Sequence, residues 1–196
     1  MKKLYFLAIP IFFFSVSIFA QDYKWSVEAN YPISVGDDLG NDAPGIIDAG
    51  VKYRFLDYKI AKIGAGINAG YFKKTIDNQS IPQSTNFDET IWIIQPKVFA
   101  EFTIPSISKL HPSIGLGYSF VNIKDEGLFF DENIKSSGTE GGINLNMGLS
   151  YDITKRFFLQ AQYDYVNTKK TFSYEQSEYV DRKYLGYLKA GIGFRF

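Results

Sequence analysis

From residue 24 onward the chain alternates apolar and polar residues in eight separate stretches, and a period of two marks each stretch as a strand with one oily face. The first, about 24–33, sets Trp25, Val27, Ala29, Tyr31 and Ile33 against Lys24, Ser26, Glu28 and Asn30. The second, about 46–55, opposes Ile47, Ala49, Val51, Tyr53 and Phe55 to Asp48, Gly50, Lys52 and Arg54. The third, about 59–72, opposes Ile63, Ile67 and Tyr71 to Lys62, Gly64, Gly66, Asn68 and Gly70, and the fourth, about 90–104, opposes Trp92, Ile94, Val98 and Phe102 to Gln95, Lys97, Phe99 and Glu101. The fifth ends near 121, with Ile114, Leu116, Tyr118 and Phe120 against His111, Ser113, Gly115 and Ser119. The sixth, about 142–153, sets Ile143, Leu145, Met147 and Leu149 against Asn144, Asn146, Ser150 and Asp152, and the seventh, about 156–165, sets Leu159, Tyr163 and Tyr165 against Gln160, Gln162 and Asp164. The eighth, 184–196, carries Leu188, Ala190, Ile192, Phe194 and Phe196 on one face and Leu185, Tyr187, Lys189, Gly191, Gly193 and Arg195 on the other.

The connections between these stretches alternate in length. Long polar ones cover 36–45, 73–89, 122–141 and 166–183, whereas 56–58, 105–109 and 154–155 are short. This is the expected order when one end of an antiparallel barrel carries extracellular loops and the other carries tight periplasmic turns. A soluble sandwich would need a second layer to cover eight aromatic-ended apolar faces. A barrel in lipid needs none, because lipid covers the apolar face and closure pairs the backbone. Outward aromatics gather at strand ends: Tyr71, Trp92, Tyr118, Phe120, Tyr163, Tyr165 and Tyr184 beside the long connections, Phe55, Phe102, Tyr151, Phe157, Phe194 and Phe196 beside the short ones. They form two girdles, one for each interface. The pattern therefore predicts an all-β fold, an eight-stranded antiparallel up-and-down transmembrane β-barrel.

The final strand, with Lys189, Gly191, Phe194 and Phe196 at its end, resembles the insertion signal of bacterial outer-membrane barrels. With it, the eight-segment plan and the Pro-x-x-Gly-x-Gly-Tyr run at Pro112, Gly115, Gly117 and Tyr118 resemble the small outer-membrane β-barrel proteins of the OmpX, OmpW and OmpA-barrel type, over nearly all of 21–196. The resemblance implies an outer-membrane location and the barrel-assembly machinery as a partner through the last strand. It also implies outer-membrane lipid around a monomer and, because the chain stops at the barrel, no peptidoglycan-binding domain.

Residues 1–20 have Lys2 and Lys3, an apolar run from Leu4 to Phe19, and small Ala20 before Gln21 and Asp22. That is the layout of a removable signal peptide, with 21–196 as the barrel domain. Pro10 and the absence of a stop-transfer run argue against a retained anchor. Composition adds exclusions. With 21 basic and 21 acidic side chains the chain offers no electrostatic case for nucleic acid, and with no cysteine it offers no disulfide or thiolate chemistry.

The inward faces hold a lumen charge network: Glu28, Asp48, Glu101 and Asp164 against Lys52, Arg54, Lys62, Lys97, Lys189 and Arg195. Eight strands enclose a lumen that side chains can fill, so the expectation is a salt-bridged plug. The competing reading is a narrow polar path through the space left by inward glycines. No catalytic, cofactor or metal residues are expected. Gly64-Ala-Gly66-Ile-Asn-Ala69 matches a dinucleotide fingerprint, yet strand alternation runs straight through it where a helix should open. His111 and Ser113 lie two apart at the short-turn end and read as polar lumen positions. Leu128, Phe129 and Phe130 lie in the third long connection, either as a hairpin extension or as an exposed adhesive patch. The function expected is a non-enzymatic, structural or surface-interaction role through four long extracellular loops, with an extracellular partner there. The alternative is a narrow porin-like channel or carrier for small or hydrophobic solutes.

Overall fold

The computed structural model describes residues 23–35, 45–78, 85–130, 132–174 and 177–196. The expected signal peptide, 1–20, and residues 36–44 of the first long connection lie outside the described residues. Eight strands run in chain order: β1 (Trp25–Val35), β2 (Gly45–Tyr58), β3 (Ala61–Asn78), β4 (Thr85–Phe102), β5 (Leu110–Phe129), β6 (Glu132–Asp152), β7 (Phe157–Tyr174) and β8 (Ser177–Arg195). Each pairs antiparallel with its sequence neighbour, and β8 pairs with β1 from Ser26–Arg195 to Val35–Gly186, which closes the barrel. The termini are tied at this seam, where Phe196 N–H donates to Trp25 C=O at 3.0 Å and Trp25 N–H donates back to Phe196 C=O at 3.2 Å.

The barrel is apolar outside and polar inside. Leu116 is 56% exposed and Ile143 63%, while Asp48, Asn68 and Asp164 are at 0%. Water would expel such an outer wall, and lipid is the solvent that fits it. The outer aromatics meet in cross-strand pairs, as at Tyr71–Trp92 (ring centroids 4.6 Å apart), Tyr165–Tyr184 (6.0 Å) and, at the opposite end, Phe157–Phe194 (4.8 Å). Two inward glycines are required by close packing. A Cβ on Gly193 would overlap the Phe158 ring, and one on Gly64 would sit 2.6 Å from Phe99 Cζ. Those absent side chains admit two phenyl rings to the lumen.

The strands are longer than the alternation indicates. Three of the four long connections are not loops: β3 and β4 stay paired out to Asn78–Thr85, β5 and β6 to Phe129–Glu132, and β7 and β8 to Tyr174–Ser177. The reason is that beyond the membrane neither face must be oily, so alternation fades while the ladder continues. Polar cross-strand pairs support these ribbons: Lys73 and Thr75 both reach Asp88, Ser136 donates to Asp125 at 3.1 Å, and Lys135 reaches Glu126 at 3.3 Å. Pairing between β6 and β7 stops at Gly141–Lys169. Above that point the barrel wall divides into a four-stranded sheet, β3 to β6, and a β7–β8 hairpin.

Candidate functional site

The lumen fills in layers from the short-turn end. In the lowest, Arg54 makes a bidentate pair with Glu101, Nε to Oε1 at 3.2 Å and Nη2 to Oε2 at 2.7 Å, and its Nη1 donates to Ser26 at 3.1 Å. Arg195 bonds Asp152 and stands 3.8 Å from Glu101, while its guanidinium covers the Phe158 ring at 4.4 Å. His111 Nε2 lies 2.9 Å from Asp152 Oδ2, so the histidine belongs to this layer and faces away from the long hairpins. The Lys52 ammonium and Arg54 guanidinium lie 5.7 and 5.8 Å from the Phe99 centroid. An aromatic face is a useful neighbour for a buried cation.

In the middle layer Lys52 pairs with Glu28 at 2.7 Å, and Glu28 also accepts from Asn68 at 2.8 Å and Gln162 at 3.2 Å. Lys97 donates to Gln162 at 3.5 Å. Above them Lys189, 2% exposed, bridges Asp48 at 2.8 Å and Asp164 at 2.6 Å and donates to Gln95 at 2.8 Å. Asn30 and Asn68 donate to Asp48, and Asn146 donates to Asp164 at 2.6 Å. A buried charge is tolerable when it is both paired and hydrogen-bonded, and the alternate residues of seven strands provide those partners for the buried charges other than Lys97, whose contact is the neutral Gln162.

Nine of the ten residues in the expected network are buried together in these layers. The tenth, Lys62, stands at the rim with a partly exposed side chain and reaches Asp57 at a long 3.7 Å. Of the four residues expected to form a terminal signal, Lys189 is the centre of the upper lumen layer, Gly191 faces inward beside Asn30, and Phe194 and Phe196 stack on the outer wall with centroids 6.3 Å apart. The Gly64–Ala69 run lies within β3, so no helix opens there. Leu128, Phe129 and Phe130 form the tip of the β5–β6 hairpin, where Phe129 meets Phe130 at 4.2 Å and Phe87 at 6.0 Å.

One layer was not foreseen. Toward the long hairpins the lumen turns apolar: Phe72, Ile91, Ile93, Val121, Val166, Leu185 and Tyr187 are buried against one another, with the Phe72 and Tyr187 rings 5.1 Å apart. The run Ile91-Trp92-Ile93-Ile94 is oily on both faces, so period-two reading assigns its outward residues and leaves the inward ones without a signal. Packed apolar side chains across a narrow lumen exclude water and block ions. Above this layer lies an open cup of about 310 Å³ lined by Glu89, Ile123, Asp125, Ser136, Ser137, Gly138, Glu140 and Lys183. Lys183 reaches Glu140 at 3.3 Å, and partial burial followed by the nearby Asp125 charge pushes the Glu89 carboxyl above the usual glutamate range.

Comparison with known proteins agrees with this geometry. A family described as outer membrane protein beta-barrel domain matches residues 6–196. No curated protein matches the chain. Among solved structures, Neisserial surface protein A aligns with a TM-score of 0.62 at 18% identity, covering 88% of this chain and 96% of that one. The attachment invasion locus protein Ail of Yersinia pestis, solved with the heparin analogue sucrose octasulfate, aligns at 0.54 and 15%, covering 88% and 96%. The outer membrane protein OprG of Pseudomonas aeruginosa aligns at 0.55 and 13%, covering 88% and 95%.

Proposed function

The chain belongs to the outer membrane protein β-barrel domain family, and on that premise we propose that it is a non-enzymatic surface-interaction barrel of adhesion type, acting through its strand-built extracellular projection. In an outer-membrane barrel the long hairpins face outward and the short turns face the periplasm. The observation that carries the reading is the edge of β6. Among the described residues, 132–139 have ladder partners on the β5 side and no ladder partner on β7, because the β6–β7 ladder ends at Gly141–Lys169. A protruding sheet with an open row of backbone donors and acceptors is a template for an added strand. The aromatic tip formed by Phe87, Phe129 and Phe130 adds an adhesive contact beside it.

The lumen argues against the channel or carrier alternative. Ion pairs fill the periplasmic part and the Phe72–Tyr187 layer closes the extracellular part. The fold resemblance to Ail is compatible with an attachment role, and the argument for that role rests on this chain's own edge. Deleting 125–137 tests it. The shortened hairpin is expected to leave barrel folding and heat-modifiable gel mobility intact while adhesion of expressing cells to host-cell or matrix surfaces falls to background. Unchanged adhesion would remove the projection from the account.

A further inference from the structure

The outer wall of the β7–β8 hairpin carries a pattern that the β6 edge does not use. Lys169 and Arg182 stand directly opposite each other in the β7–β8 ladder, and both are exposed. The Cβ atoms of such a pair lie about 5 Å apart, and like charges in that position weaken a sheet. Alternation puts the pair on the same side as Leu159, Leu188 and Ile192, all exposed on the lipid-facing wall. Among the described residues no ion pair joins either cation to a carboxylate. Strand β3 supplies the contrast. Lys73 also stands two residues beyond a girdle aromatic, Tyr71, but Asp88 neutralises it at 2.8 Å.

The aromatic girdle fixes the level of the pair. Tyr165 and Tyr184 stack on the outer wall, and Arg182 follows two residues beyond Tyr184, about 7 Å along the strand. Tyrosine rings at a membrane interface sit at headgroup depth, so the two cations stand level with the phosphates just outside it. On the neighbouring strand β6 the residue beside Lys169 is Gly141, and the Tyr118 ring lies over it: a Cβ on Gly141 would be 2.5 Å from the Tyr118 hydroxyl. Toward the membrane the same face continues with Ile143 and Leu145, both exposed. Two cations and a phenol hydroxyl above an oily wall have the chemistry of a phosphate that carries acyl chains.

We propose that this face is a binding site for a phosphorylated lipid of the outer leaflet. The phosphate lies across Lys169 and Arg182, where the guanidinium offers a planar two-point contact and the ammonium a point charge. The acyl chains run down the wall past Ile143, Leu145 and Tyr165. Bound phosphate supplies the counter-charge between two like-charged neighbours. The membrane's own phosphate is preferred to a soluble polyanion because the pair points sideways, along the lipid surface, and not toward the hairpin tips.

Native mass spectrometry of the full barrel released from detergent reads this directly, with phosphorylated or dephosphorylated lipid A added at low salt. The wild-type protein is expected to retain the phosphorylated form several-fold more than the dephosphorylated one. K169Q/R182Q should lower that retention by about fivefold for each cation neutralised, and R182Q alone should give the intermediate value. K73Q/D88N, which removes the neutralised pair on β3 and β4, should leave it unchanged. Variants are compared only as heat-modifiable, folded protein, and the wild-type lipid comparison needs no variant. Equal retention of the two lipids, full retention in K169Q/R182Q, or an equal loss in K73Q/D88N would overturn the site. Complete displacement of lipid A by millimolar inorganic phosphate, or by a soluble sulfated polysaccharide, would overturn the lipid assignment in favour of a free-anion or polyanion surface.

Discussion

Lys189 shows what a single residue does in this lumen. Its ammonium lies between Asp48 and Asp164 at 2.8 and 2.6 Å, all three buried, so removing it leaves two carboxylates without the cation that bridges them. Breaking a buried pair by deleting one partner costs about 3–5 kcal/mol. Lys189→Met is therefore expected to lower unfolding stability in lipid vesicles by that order, followed by tryptophan fluorescence in urea, and Asp48→Asn on the same background should recover part of the loss. A loss within experimental error would mean that water reaches the site and screens it. Residues of this kind are legible in the sequence as a class. Asp48, Asp164 and Lys189 each stand on the inward side of a clean alternation. Their mutual contact is not legible, because it depends on the shear of a closed barrel, which brings residues 141 positions apart within hydrogen-bond distance. Lys62 illustrates the same limit: it shares the inward face, yet its place at the end of β3 puts it at the rim.

At the scale of elements, what the chain displays depends on the solvent each strand segment meets. Inside the membrane lipid forces alternation, and all eight strand centres can be read from it. Beyond the girdles no such pressure acts, so residues 122–129 and 132–141 form a polar ribbon that resembles a loop in sequence and a ladder in structure. The last strand joins the two regimes. β8 pairs with β7 and β1 at once, and its terminal Phe194 and Phe196 lie on the outer wall beside Phe157. We propose that this aromatic end strand, which completes the barrel, is the handle for an assembly partner, as its resemblance to the insertion signal implies. Phe196→Ala is expected to reduce the yield of folded protein in the outer membrane several-fold, measured by fractionation and heat-modifiable mobility. Refolding of the purified variant into vesicles should change far less. A matching fall in both would assign Phe196 to stability and not to recognition.

The whole molecule is a closed wall with two differently built ends. Charged layers from Arg54–Glu101 up to Lys189–Asp48–Asp164 fill the periplasmic part of the lumen, and an apolar layer around Phe72 and Tyr187 lies between them and the outer cup. Outside, among the described residues, no backbone ladder joins the β3–β6 sheet to the β7–β8 hairpin. This division is what turns the reading from transport toward surface contact: the interior is packed, and the strand edge at 132–139, without a β7 ladder, lies on the outside. Planar-bilayer recording of the purified, folded barrel tests that claim most directly. The account predicts a flat trace without stable openings at moderate voltage. Steady nanosiemens-scale channels from protein shown to be folded by its gel mobility would contradict it, because neither the ion-pair layers nor the apolar seal could then be closed.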